Sequence, residues 1–92
     1  MERQEVYNRI NGERDYQDWR WDEGEREDRV LDEEKSPAEW LNYIKYHLEQ
    51  GEISNYMLNK QDTMAEIRKI AALAVRAIEI HGCPRRVIPE IK

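Results

Sequence analysis

Imidazole and thiol chemistry rest on few residues in this 92-residue chain: His47, His81 and Cys83. No C-x-x-C, H-E-x-x-H or Cys-to-His metal spacing connects them, and no G-x-S-x-G, P-loop or G-x-G-x-x-G pattern is present. His47 falls on or beside an apolar helical stripe, and His81 falls in the last turn of a helix, where the negative end of the dipole suits a cation. Both positions favour structural roles. Cys83 follows that helix end, a poor place for an activated thiolate, and a single cysteine cannot close an internal disulfide.

Carboxylates are the next candidates, because an all-α metal hydrolase can hold magnesium between E-E-x-x-E and E-x-x-D pairs one helical turn apart. Glu49 and Glu52 have such spacing, but Glu66 is followed three residues later by Lys69, a cation where the second acid belongs. Repulsion between Lys69 and a bound ion opposes magnesium there. The remaining chemistry is recognition. Phosphates need cations and bases need flat side chains, and both occur together: Arg14, Tyr16, Trp19, Arg20 and Trp21 in the first half, Arg85 and Arg86 near the end. Two structural roles compete for these residues. The tryptophans can cover a core helix, and the two late arginines can satisfy helix-end carbonyls.

The elements that must position these residues are organised around Met64 to Gly82, the longest apolar-rich segment. Ala65, Ala71, Ala72, Ala74 and Ala77 favour helix and permit close approach by another backbone. Asp62 or Thr63 is placed to cap its start, Thr63 and Glu66 have capping-box spacing, and Gly82 before Pro84 ends it. Its charged residues exclude a membrane span. Ser36-Pro37-Ala38-Glu39 starts a second helix, with Trp40, Leu41, Ile44, His47 and Leu48 on one stripe. Gly51 is a candidate end for that helix, but apolar content resumes, and we favour one long or broken helix reaching about Leu58. Asn59 to Asp62 then forms a short turn, making helices two and three antiparallel neighbours.

Before these, Glu2 to Trp19 reads as a first helix with Val6, Ile10, Tyr16 and Trp19 at near-helical intervals and Gly12 weakening its middle. Residues 20–35 read as an acidic loop, either solvated or shaped to imitate nucleic-acid phosphates. Residues 83–92, with Val87, Ile88 and Ile91, read as an extended arm that packs on the rest. One stripe of helix three holds Ile67, Ala71, Ala74 and Ile78, and another holds Ile70, Leu73, Ala77 and Ile80. One hairpin partner cannot cover both, so helix one or a second subunit must. The expected fold is all-α, a single domain over residues 1–92, with an antiparallel helical hairpin plus an N-terminal helix packed into a small helical bundle through oligomerisation.

Charged residues make up 38% of the chain, the net charge is -5 and the mean hydropathy is -1.03. This balance disfavours direct binding of duplex nucleic acid. Glu13 to Lys35 holds eleven acids and five bases, whereas Lys60 to Lys92 holds four acids and seven bases, so the two ends of the chain, or of two copies, can attract each other. No apolar signal-peptide core follows the first methionine, which makes the cytoplasm the expected location.

Glu13-Arg14, Tyr16-Gln17-Asp18 and Trp21 resemble the E-R-x-x-Q-D-x-x-W opening of small phage and prophage proteins related to MazG-type NTP pyrophosphohydrolases. Glu39-Trp40-Leu41 and the alanine-rich Ile67 to Gly82 are similar in order and spacing to the later helices of those proteins. The metal-binding acids depart from the family pattern, with Lys69 in place of an acid and Tyr46-His47 where a glutamate pair is expected. The resemblance thus implies a phage-type helical fold and an ancestral nucleotide link, and the departing acids count against catalysis. The leading expectation is a non-enzymatic accessory protein of a bacterial host cell's phage, a homo-oligomer without cofactor that binds a nucleotide-like ligand through Arg14, Tyr16, Trp19, Arg20, Trp21, Arg85 and Arg86 and sequesters a signalling nucleotide of antiviral defence. Two alternatives stand beside it. One is a MazG-like, magnesium-dependent NTP pyrophosphohydrolase using Glu49, Glu52 and Glu66. The other is an acidic inhibitor of a host defence protein, of the anti-CRISPR or anti-restriction type, acting through Asp22 to Glu34.

Overall fold

A computed structural model of the chain describes residues 1–22 and 32–89. Three helices account for most of them: α1 (Arg3–Asp22), α2 (Pro37–Tyr56) and α3 (Lys60–His81), with a single 3-10 turn at Asp32–Glu34 before α2. No strand occurs among the described residues. The all-α expectation therefore holds.

The start of α2 is built as its sequence dictates. Ser36 adopts an extended backbone, its side chain accepts from the Glu39 amide, the Glu39 side chain accepts from the Ser36 amide, and Pro37 takes the first turn. Gly51 does not end the helix. It is buried against α3, where a Cβ added to it would stand 3.4 Å from the Glu66 Cβ. The helix continues to Tyr56, and Leu58 turns the chain with a positive φ of 59°.

Helix α3 starts earlier than Asp62 or Thr63. Asn59 is its cap, accepting from the Asp62 amide, and the Thr63 hydroxyl donates back to the Asn59 carbonyl. The Thr63–Glu66 capping box does not form, because the turn at Leu58 delivers Asn59 into capping position first and Glu66 is engaged elsewhere. The connection between α2 and α3 is correspondingly short. Gly82, with φ 74°, closes the helix as expected, its amide donating to the Ile78 carbonyl. At about 1.5 Å per residue the helix is roughly 33 Å long.

Helix α3 is the shared element. Helix α2 runs antiparallel along one face, as the pairs His47–Glu66 and Lys35–His81 show. Helix α1 lies on another face, with Asn8 to Glu13 beside Arg68 and Lys69 and Arg14 bound to Glu79. The fully buried apolar core among the described residues is small: Trp40, Ala72 and Leu73.

The docking of α1 differs from the sequence reading. The apolar positions assigned to its inner stripe are largely outward, with Val6, Tyr16 and Trp19 all exposed, while Glu13, Arg14 and Gln17 are buried. Trp19 therefore does not cover α3. The helix is held by ion pairs instead, and an apolar periodicity count cannot see a polar inner face. The helix also runs into the stretch read as an acidic loop, ending at Asp22. Residues 23–31 of that loop lie outside the described residues. After α3 the chain has no regular secondary structure up to residue 89, and Val87 and Ile88 are exposed rather than packed.

Candidate functional site

Residues 8, 12 and 16 are one helical turn apart, as are 9 and 13, so Asn8, Arg9, Gly12, Glu13 and Tyr16 present one flank of α1. Against that flank stand Arg68 and Lys69 of α3, and the seven residues line a groove of about 500 Å³ between the helices. Gly12 faces open space there: a Cβ at this position would meet nothing within 4 Å. Glu13 forms the anchored edge, its Oε1 accepting from Arg68 Nε at 3.1 Å. Arg68 and Lys69 both retain substantial exposure, at 46% and 39% of their side chains. Arg9, Arg68 and Lys69 thus line the groove with Glu13, Arg68 being paired with Glu13 and Lys69 with Glu66 at 3.2 Å from outside the lining. The Tyr16 ring, half exposed, lies 5.8 Å from the Trp19 ring at an interplanar angle of 37°, giving an aromatic surface at the groove's edge.

The other sequence-derived candidates are placed as follows. Arg14 is buried, donating to Glu79 Oε1 at 3.0 Å, to Gln17 Oε1 at 3.4 Å and to Asp18, with which it also forms a 3.0 Å ion pair. Burial works against its charge, yet the hydrogen bonds to Glu79 and Asp18 prevail and hold the guanidinium above its ordinary pKa. Arg20 is exposed in the last turn of α1. Trp21 is within that helix, and its side chain lies outside the described residues. Arg85 and Arg86 are exposed beyond the end of α3, which is about 18 Å of helix from Lys69, and they do not line the groove.

The carboxylates read as alternative metal ligands are not assembled. Glu66 accepts from Lys69 Nζ at 3.2 Å through Oε1 and meets His47 Nδ1 at 2.7 Å through Oε2. Burial would raise its pKa, but these two partners hold it below the ordinary carboxylate range. Glu49 and Glu52 are exposed on α2. No group of three His, Cys, Asp or Glu side chains suited to a metal ion occurs among the described residues.

A second polar cluster ties the helices together. Asp32 accepts from Lys35 Nζ at 2.9 Å and from Arg76 Nε at 3.1 Å, Arg76 continues to Glu79, and Glu79 continues to Arg14. His81 Nε2 lies 2.8 Å from the Lys35 carbonyl and fixes the far end of α3 to the same turn. The described part of the acidic stretch is therefore partly inward, with Asp32 buried on two cations. Lys35 and Asp32 are buried and Arg76 is largely covered, whereas Arg68 and Lys69 stay open to solvent, so this cluster reads as structure rather than as a ligand site.

Of the seven lining residues only Tyr16 was a sequence-derived ligand candidate, and the groove's cations Arg9, Arg68 and Lys69 were all missed. The 8-12-16 and 9-13 spacing on α1 was available as a signal, but the partnership with Arg68 and Lys69 depends on how α1 lies on α3. None of the described helices is long and apolar enough to cross a membrane. No family model, no curated protein and no solved structure matches the chain.

Proposed function

We propose that this chain is a non-enzymatic, phage-type accessory protein that acts as a homo-oligomer in the cytoplasm of a bacterial host and holds a nucleotide-like ligand in the groove between α1 and α3. Sequestering a signalling nucleotide would counter antiviral defence. The observation that carries this reading is the juxtaposition of Arg9, Arg68 and Lys69 with the Tyr16–Trp19 ring pair. The cations suit phosphates, and an exposed aromatic surface suits a base, whose stacking contributes about 1 to 3 kcal/mol. A volume near 500 Å³ lies within the range of small-molecule sites. Arg14 serves this site from beneath, by fixing α1 to Glu79, rather than by touching phosphate.

Calorimetric titration with linear and cyclic nucleotides tests the proposal. The expected result is micromolar binding by at least one, weakened at least tenfold in Lys69→Ala and in Tyr16→Ala and diminished by added salt. Silence across the panel at micromolar protein would end this reading. Magnesium-dependent release of pyrophosphate from an NTP, abolished in Glu66→Gln, would replace it with the hydrolase.

A further inference from the structure

We propose that the face shared by α2 and α3 on the side away from α1 is the seat of a second copy of this chain, packed through an antiparallel α3–α3 contact centred on Ala71 and Ala74. This extends the oligomer reading above by naming its surface, and it does not depend on the nucleotide groove.

Successive residues of α3 are rotated by about 100°, which divides the helix into three faces. Arg68, Lys69 and Glu79 are turned to α1, and Arg76 to the turn at Asp32. Glu66 is turned to α2. The remaining face carries Met64, Ile67, Ala71, Ala74 and Ile78 at spacings of three and four, with Val75 beside them, and its one charge is Lys60 at the N-terminal end, a turn before Met64. Met64, Ile67 and Ile78 are each about half exposed, and no described element covers them.

Helix α2 widens this face. Lys35 Nζ lies 5.1 Å from the Tyr43 ring and binds Asp32, which binds Arg76, so the Tyr43 flank of α2 is the one toward the polar cluster. Leu41, Ile44 and Leu48 are roughly 100 to 160° around the helix from Tyr43, on the flank that adjoins the free face of α3. Leu41 and Leu48 are 64% and 50% exposed.

The area fits a dimer. The exposed parts of these residues amount to on the order of 600 Å² of apolar surface per copy, whereas a standard interface buries about 800 Å² per partner with somewhat over half of it apolar. The whole chain has an accessible surface of 8107 Å², against roughly 5,700 Å² for a compact monomer of its mass.

The pattern also selects the occupant. Ile67, Ala71, Ala74 and Ile78 are symmetric about the midpoint between the two alanines, so the stripe is complementary to its own antiparallel copy: Ile78 of one chain meets Ile67 of the other, while the alanines allow close backbone approach. An isologous contact is the arrangement that such self-complementarity favours.

Sedimentation and native mass spectrometry of the wild type and three variants test the surface. The wild type is expected to be a dimer. Ile67→Glu and Ile78→Glu, both at positions exposed in the single chain, are expected to raise the dimer dissociation constant at least 100-fold with unchanged helical circular dichroism. Ile53→Glu, on the other flank of α2, is expected to leave the dimer intact. A short bis-maleimide on an Ala71→Cys, Cys83→Ser chain is expected to give covalent dimers, a result that does not require the charged variants to fold. A dimer that survives both charged substitutions, or absence of the Ala71→Cys cross-link, overturns the proposed surface while leaving another oligomer open. A monomeric wild type overturns both.

Discussion

Asp32 shows how far a residue's surroundings can depart from those its sequence suggests. It lies in the most acidic stretch of the chain and reads as solvated, yet it is 4% exposed and holds Lys35 and Arg76 together. Burial alone would raise its pKa, but the hydrogen bonds from the two cations outweigh burial and lower it. A carboxyl whose folded pKa is depressed stabilises the fold fully above its unfolded pKa, near 4, and that stabilisation is lost as pH falls through the lower, folded value. Glu66, lowered by His47 and Lys69 against burial, has the same sign. Thermal unfolding should therefore move to lower temperature as the solution is acidified below about pH 4. Asp32→Asn should destabilise at neutral pH by about 3 kcal/mol, because it leaves buried cations short of a counter-charge. The difference from wild type should shrink in acid, where the aspartate is itself protonated. Equal melting temperatures at pH 7 would show that Asp32 does not anchor the cluster.

At the scale of the helices, local chemistry was legible and mutual placement was not. The Ser36–Glu39 box and the Gly82 stop depend on neighbours within a few residues, and both formed as read. The start of α3 was misplaced because Asn59, Asp62 and Thr63 are all competent near a helix start, and the turn at Leu58 decides among them. Helix α1 was found, but its inner face was assigned by apolar spacing, whereas Glu13, Arg14 and Gln17 are what it buries. The candidate groove inherits that limit: Tyr16 stood out as an aromatic beside cations, but Arg68 and Lys69 join it only through the lie of α1 on α3. Two glycines test these placements. Gly12→Ala puts a methyl into open space at mid-helix and should stabilise by about 0.5 to 1 kcal/mol, or roughly 2 to 6 °C. If the groove holds a ligand, the same methyl should weaken its binding. Gly51→Ala should gain less, because its Cβ arrives 3.4 Å from the Glu66 Cβ and uses up the close approach of α2 to α3. Melting curves that ranked Gly51→Ala above Gly12→Ala would contradict this account of the α2–α3 contact.

The whole molecule is spread out for its length, with a radius of gyration of 15.5 Å where a compact chain of this size has about 12 Å. Among the described residues its buried apolar core is Trp40, Ala72 and Leu73, and α1 is attached largely by charge. A single chain of this kind has little apolar burial with which to offset conformational entropy, so association should carry part of the folding free energy. The consequence is a stability that depends on concentration. When unfolding is coupled to dissociation, each tenfold increase in protein adds about 1.4 kcal/mol per dimer, which for two chains of this length raises the melting temperature by roughly 3 to 4 °C. Ala74→Leu separates the seam from general packing. In one chain Ala74 is part-exposed on the uncovered face, but in the antiparallel pair it sits where the backbones approach. Overpacking there should cost about 1 to 3 kcal/mol and remove or reduce the concentration dependence. Calorimetric scans over a hundredfold range of protein concentration would decide the matter. A wild-type melting temperature that does not move with concentration, together with an Ala74→Leu chain as stable as the wild type, would mean that α3 meets no second copy.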